Sequence, residues 1–478
     1  MKTNKIIAIS AVMAMGLASC SDSYFDVDLE QNIVTEEAYS NAQNVQNGMI
    51  GAFNSFGDYE FYGRNVVALG DMASDLAQAS ASSGHFLTIY QYSFSDTDGD
   101  INDIWSYGYK TVDRCVRTIQ GGKEVLAKAE ELKLEDDEIA NVKMSIAECY
   151  ALRALTTFTL TNLYGLPYKA GQNNSQLGVP LLDNEPLQPF VNTERKTVEQ
   201  CYAQVLSDIA LAKEFYQGDD CLLGEVGFFM NESAIYALEA RVNLYMGRFS
   251  EAKAAAEMSL ELLKNGDSYD LPSPDIYVSS WSSIAANDET IFSISKTDDD
   301  NLSANALNTL YGEYKGTVTS KLKEFFGEND IRAAVLEVKA YKYQGTSTAQ
   351  AVSNIPVFRK SEMYLILAEC NAQLNNLDAA KEALFYTAKR DLDIESVDDL
   401  PATKEELLSF VADERVRELY LEGHRWFDAR RTGLKLDVVN GTSPGFDMSK
   451  FVYPIPAAEI NAGFGVVQNK GWEDNLPE

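Results

Sequence analysis

Leu244-Tyr245-Met246-Gly247-Arg248-Phe249-Ser250-Glu251-Ala252 is the stretch on which the reading of this chain turns. Upstream of it, Ala234, Leu238, Arg241 and Tyr245 recur at intervals of four, three and four, which places them on one face of a helix. Downstream, Ala252, Ala256 and Leu260 mark a second helix. Between them a glycine lets the chain reverse, an aromatic fills the angle and an alanine allows close contact. The stretch predicts an antiparallel helical hairpin.

A similar pattern runs from Leu367-Ala368-Glu369 through Asn375-Asn376-Leu377 to Ala380, Leu384 and Ala388. Both turns read as tetratricopeptide-like, yet they lie much farther apart than that repeat's period of about 34 residues. A regular tandem solenoid is excluded, and hairpins interrupted by insertions fit better. Two more helices follow from the same periodicity. One spans Val142 to Tyr164, with Ala147, Ala151, Ala154 and Phe158 on one face and Gly165 and Pro167 stopping it. The other spans Lys404 to Arg431, with Val416, Leu419, Tyr420, Gly423 and Phe427 on one face.

Residues 80–104, 165–195 and 265–320 are irregular, rich in Gly, Pro, Ser and Asp, but they also carry aromatics that argue for order. A short strand is expected at Glu289-Thr290-Ile291-Phe292-Ser293-Ile294.

Of 478 residues, 45% are apolar and 23% charged, which excludes wholesale disorder. Aspartate and glutamate total 72 against 40 lysines and arginines, a formal charge of −32. Binding phosphate needs clustered cations, so the balance argues against nucleic acid or an anionic lipid surface as the main partner. Only His85 and His424 are available as imidazoles, which removes histidine-rich metal sites.

The N-terminus reads as an address. Lys2 and Lys5 precede an apolar run from Ile6 to Leu17, too short to span a bilayer but suited to a secretory signal. Leu17-Ala18-Ser19-Cys20 is the pattern of a bacterial lipoprotein, in which the cysteine is acylated (palmitate) after cleavage before it. Asp22, Asp26, Asp28 and Glu30 then form an acidic stretch that resembles the surface-export signal of Bacteroidota lipoproteins. Cys115, Cys149, Cys201, Cys221 and Cys370 are too scattered for a disulfide framework and are expected as buried thiols.

Tests for catalytic motifs return little. Gly441-Thr442-Ser443-Pro444-Gly445 matches a nucleophile elbow as a string, but Pro444 has no N–H to offer an oxyanion. Asp96-Thr97-Asp98-Gly99-Asp100 alternates carboxylates like a calcium loop, yet Ile101 and Tyr107 stand where an EF-hand needs glycine and glutamate. It reads as a solvated acidic turn, as does Asp298 to Asp300, with structural calcium the alternative; no cofactor is expected. His424, between Arg425 and Asp428, reads as part of a structural polar network rather than a base.

Four stretches together resemble the SusD/RagB family of outer-membrane nutrient-binding lipoproteins. They are Glu148-Cys149-Tyr150-Ala151-Leu152-Arg153-Ala154 with Asn162-Leu163-Tyr164-Gly165-Leu166-Pro167; Arg359 to Glu369; Glu414-Arg415-Val416-Arg417-Glu418-Leu419 with Glu422 to Arg431; and Tyr453 to Asn461. The resemblance implies a mostly α, SusD-like fold with tetratricopeptide-like helical hairpins and long loop insertions carrying minor β structure. Its expected parts are a lipoprotein signal peptide (1–19), an N-terminal SusD-like region (20–225) and a C-terminal RagB/SusD region (226–478). The last includes a loop-rich insert (265–354), and the whole is expected as one integrated domain.

The same resemblance implies a non-enzymatic cell-surface receptor. It would be lipid-anchored at Cys20 in the outer membrane and face the exterior. Its role would be to pass an oligosaccharide or polysaccharide to a SusC-type TonB-dependent transporter. A peptide ligand is one alternative; a surface glycosidase is another, of a different class. A sugar's C–H face stacks on aromatic rings while its hydroxyls bond polar side chains. The ring platform is therefore sought in the loops: Trp281, Tyr277 and Tyr311 in the long insert, Tyr90, Tyr92 and His85 in the earlier loop, with Asp75 and Asn305 as polar partners. Trp105, Trp426 and Trp472 read as structural.

Overall fold

The computed structural model describes residues 38–182, 191–263, 273–346 and 351–477. The signal peptide, Cys20 and the acidic stretch after it lie outside the described residues, as do parts of the 165–195 loop and of the 265–354 insert.

Helices dominate. The first group is α1 (Ala42–Phe56), α2 (Asn65–Met72), α3 (Gly99–Ala127), α4 (Asp136–Tyr164) and α5 (Val198–Phe215). The second is α6 (Glu232–Tyr245), α7 (Phe249–Leu262), α8 (Pro274–Ser280), α9 (Leu307–Tyr311), α10 (Lys360–Gln373), α11 (Leu377–Ala388), α12 (Lys404–Leu419), α13 (His424–Thr432) and α14 (Ala457–Ala462). Helix α1 packs on α3 and α4, α4 on α5, α6 on α7, α7 on α10, and α10 on α11 and α12, so the core runs unbroken between the two halves.

Local chemistry starts these helices where sequence places a cap. Asn231 accepts from the Ala234 amide at 2.9 Å to open α6, and Thr197 and Gln200 cap α5 reciprocally. Both expected hairpins form: α6 turns into α7 at Gly247, whose φ is +69°. Helix α10 turns into α11 through Asn375, φ +63°. The helix expected from Lys404 to Arg431 is two helices. Leu421 (φ +60°) and Gly423 (φ +80°) break it, because the left-handed backbone there cannot continue a right-handed helix. Gly423 also lies against α2 so closely that a Cβ on Gly70 would stand 2.3 Å from its carbonyl oxygen.

Among the described residues, eight short strands make four antiparallel pairs: β1 (Ala77–Gln78) with β5 (Thr317–Val318), β2 (Leu177–Pro180) with β3 (Arg195–Thr197), β4 (Thr290–Ile294) with β6 (Ile355–Arg359), and β7 (Lys435–Val438) with β8 (Ser443–Asp447). The β4–β6 pair closes the base of the long insert. The β1–β5 pair ties the loop after α2 to the loop after α9.

Beneath the insert lies a buried ionic network. Arg332 pairs with Asp330, Glu414 and Glu418. Arg359 pairs with Glu289, Glu418 and Glu422, Arg390 with Glu289 and Glu418, and Lys342 with Glu422. Glu414 and Glu418 project from one face of α12 at a four-residue interval, and Glu422 follows in the turn. The surrounding cations hold Glu418 and Glu422 below the ordinary carboxylate range against the upward push of burial. Such a network adds little over a hydrophobic core, but losing one member leaves a buried charge unpaired, at about 3–5 kcal/mol.

Trp105, Trp426 and Trp472 are buried in the core. Cys115, Cys149, Cys201 and Cys370 are buried free thiols, and Cys221 is a half-buried one.

Candidate functional site

The structure separates the residues singled out by sequence. Tyr90, Tyr92 and Tyr311 are buried and present no ring face for stacking. The Tyr92 hydroxyl donates to the Ala73 carbonyl, and its ring meets Phe446 and Phe451 edge-on. Tyr311 stacks on Tyr343 with centroids 6.2 Å apart. These rings anchor loops to the core. Asp75 is buried, and both its oxygens accept from Arg425, at 2.8 and 2.9 Å. Asp98 caps α3 through the Asp100 and Ile101 amides and accepts from Thr88 at 2.7 Å. Among the described residues no group of three or more His, Cys, Asp or Glu is placed to hold a metal ion.

His85 and Asn305 both neighbour Arg64, a residue only 5% exposed that no sequence motif marks. Arg64 stands just before α2. Its Nε donates to Asn65 Oδ1 at 2.9 Å and its Nη1 to Asn305 Oδ1 at 3.1 Å. Its guanidinium lies 4.8 Å from the Tyr59 ring centroid and 5.4 Å from that of Phe86. Held on two edges and by two rings, the fork cannot swing, and Nη2 donates to no described residue. Burial lowers the Arg64 pKa, but the charges of Asp100, Asp103 and Glu60 favour its cationic form.

Beside it, His85 lies face to face with Tyr314, centroids 3.8 Å apart and planes 17° from parallel, both rings half-buried. The β1–β5 pairing brings their two loops together. Burial and the Arg64 charge lower the His85 pKa, which favours the neutral imidazole. Three non-glycine residues around this surface hold left-handed backbone: Phe86 (φ +55°), Ser303 (φ +50°) and Lys315 (φ +59°). Each costs of order 1 kcal/mol or more, and such strain gathers where side chains must be aimed.

Tyr277 and Trp281 belong to a different place. They line a narrow recess of about 60 Å³, open on one side, together with Asn287, Glu289, Lys342 and Arg359. Lys342 Nζ lies 4.7 Å and the Arg359 guanidinium 5.2 Å from the Trp281 ring centroid, so one task of that indole is to roof the ionic network. Tyr277 is buried behind it, with ring centroids 6.2 Å apart.

Comparison with known proteins bears on the family and the fold. The family model described as "SusD family" matches residues 334–472, and one described as "Starch-binding associating with outer membrane" matches residues 23–244. The chain belongs to the SusD family. A SusD-like protein P2 from Formosa agariphila is 23% identical, the match covering 98% of this chain and 99% of the relative. The solved structure of a putative sugar-binding protein from Bacteroides vulgatus superposes with a TM-score of 0.77 at 26% identity, over 90% of this chain and 98% of that one. A laminarin-binding SusD-like protein shares the fold at a TM-score of 0.67 and 22% identity, over 91% of this chain and 100% of that one. The SusD family is one of carbohydrate-binding proteins associated with the outer membrane. Among the described residues no helix is long and apolar enough to cross a membrane.

Proposed function

We propose that this SusD-family protein binds an oligosaccharide or polysaccharide at the Arg64–His85–Tyr314 surface and delivers it, uncleaved, to a SusC-type TonB-dependent transporter. Acylated Cys20 would hold it on the outer face of the outer membrane. The clamped Arg64 beside a stacked ring pair is the observation that carries the reading. Nη2, the guanidinium nitrogen without a described partner, offers N–H donors to a sugar hydroxyl, while Tyr314 and His85 offer apolar faces to a pyranose. Asn305 and Asn65 fix the fork before ligand arrives, so little ordering cost remains.

The energies suit a receptor that passes its cargo on. A ring that removes ~50 Å² of apolar area from water contributes ~1 kcal/mol at ~25 cal/mol/Å². Two rings and one or two charge-assisted hydrogen bonds of about 1.5–3 kcal/mol then offset the ordering cost to give roughly millimolar to micromolar binding. The laminarin-binding relative and the starch-binding family description make those two glucans the first probes.

Isothermal titration of the purified protein with laminarin and starch oligosaccharides tests the reading, with Arg64→Ala and Tyr314→Ala as controls. Saturable binding weakened by both substitutions supports it. No binding to any member of a broad glycan panel would overturn it, and steady release of new reducing ends would make the protein a glycosidase instead.

A further inference from the structure

The end of α1 and strand β4 enclose an open groove that shares no residue with the Arg64 surface. Ile50, Phe53 and Gly57 follow one another at intervals of three and four, which puts them on one face of α1 and its cap. Phe292 and Ile294 meet them from β4, and Phe228 and Phe229 come from the turn before α6. The room is about 330 Å³, at the lower end of the range for small-molecule sites. Its walls can be reached, since Ile50 is 41% exposed and Phe53, Phe228 and Phe229 are half-buried. Phe53 meets Phe229 and Phe292 edge-on, with centroids 5.5 and 6.1 Å apart, so the aromatic wall is fixed.

One cation stands in this apolar setting. Lys296 follows β4, where its amide donates to Asn354 Oδ1 at 2.9 Å, and its side chain is 6% exposed. A Cβ on Gly57 would lie 3.9 Å from Nζ, which places the ammonium at the groove's floor. An ammonium carries three donors. Among the described residues only Asp300 answers them, its two oxygens at 3.4 and 3.5 Å. A close charge-assisted bond measures about 2.7–2.9 Å. Buried Lys342, by contrast, has a carbonyl at 2.7 Å and a carboxylate at 2.6 Å. The C-terminal end of α1 favours a cation nearby, yet among the described residues none of its carbonyls accepts from Nζ.

Asp300 also shows that the ammonium is approachable. Its side chain is 62% exposed, so the path that brings its oxygens to Nζ leads from solvent. A carboxylate carried by an apolar body that fills the groove would pair more closely and exclude water from the pair, where the attraction is stronger than in solvent.

We propose that this groove binds a small amphipathic carboxylate, its aromatic or alkyl body against Phe53, Phe228 and Phe229 and its carboxylate on Lys296 in place of Asp300. The site is independent of the Arg64 surface and would stand if the reading of that surface failed.

The test titrates the full chain with 3-phenylpropionate, with 3-phenylpropanol as the same body without charge and acetate as the charge without the body. Ligand-observed NMR gives the Kd of each. Asp298 and Asp299 are exposed beside Asp300 and repel anions, so the titrations are run at about 0.15 M salt, where the screening length is about 8 Å. The expected result is saturable binding of 3-phenylpropionate, about fivefold or more tighter than of either control, with the preference over the alcohol lost in Lys296→Met and unchanged in Arg64→Ala. Asp300→Asn, a change at an exposed side chain, removes the competing carboxylate and should tighten 3-phenylpropionate binding. The alcohol or acetate binding as tightly as 3-phenylpropionate would overturn the ligand class. No saturable binding, native affinity in Lys296→Met, or weaker binding in Asp300→Asn would overturn the site.

Discussion

Arg425 grips Asp75 through two parallel hydrogen bonds of 2.8 and 2.9 Å, joining the first turn of α13 to the loop that follows α2. Both side chains are nearly buried, at 9% and 5% exposure, so the pair is shielded from water and salt. It spans two segments far apart in the chain and fixes the end of α2, whose beginning carries Arg64.

Asp75→Ala leaves Arg425 without its carboxylate in a buried setting. Stability should fall by about 3–5 kcal/mol, read as a shift of the urea-unfolding midpoint. Arg425→Ala should cost a similar amount, and the double variant should cost clearly less than the sum. Additive losses would show that the two do not act as a pair.

Arg64→Lys keeps the charge and loses the fork. Glycan affinity should drop about tenfold, since an ammonium cannot bond Asn65 and Asn305, keep the ring contacts and still present a fixed donor to the ligand. Calorimetry decides: lysine restoring full affinity would mean that charge alone matters at this position.

Tyr314→Ala removes one stacking face. At ~1 kcal/mol per ring the expected loss is about fivefold in Kd, with Tyr314→Phe close to the native value. A Tyr314→Phe variant as weak as alanine would assign the work to the hydroxyl rather than the face.

Glu148 offers a pH test away from any site. It is fully buried in α4 among apolar neighbours, and burial pushes its pKa from the ordinary 4.5 to about 8, with a backbone contact near Met230 opposing. The folded protein therefore keeps a proton that the unfolded chain releases, so this carboxyl makes stability fall as pH rises between about 4.5 and 8. Glu148→Gln cannot ionise and should flatten that slope by up to ~1.4 kcal/mol per pH unit. Urea unfolding at pH 5 and pH 8 is the measurement. Identical slopes in the two proteins would show that the carboxyl is not protonated in the fold.

The helical hairpins were legible because periodicity, small residues and a reversing Gly247 all point the same way within a short window. The helix expected across Lys404–Arg431 breaks at Gly423, which the periodicity places on an apolar face but which packs on the backbone of α2 in a left-handed turn. The family stretches include Glu414, Glu418 and Glu422, but not all the cations that answer them, since Arg332 and Lys342 sit in the insert's irregular sequence. Loop aromatics were the hardest to read. Tyr90, Tyr92 and Tyr311 look like Tyr314 on paper, and only burial distinguishes a loop anchor from an exposed face. Arg64 left no signal at all: its role arises from contact with Asn305, 241 positions away.

The ionic network beneath the insert also sets an order of events during synthesis. Arg332, Lys342, Arg359 and Arg390 leave the ribosome before Glu414, Glu418 and Glu422 exist, so an incomplete chain lacks most of the counter-ions those cations require. The network can close only once Glu422, the last of these carboxylates, has been made, some fifty residues before the end of the sequence given.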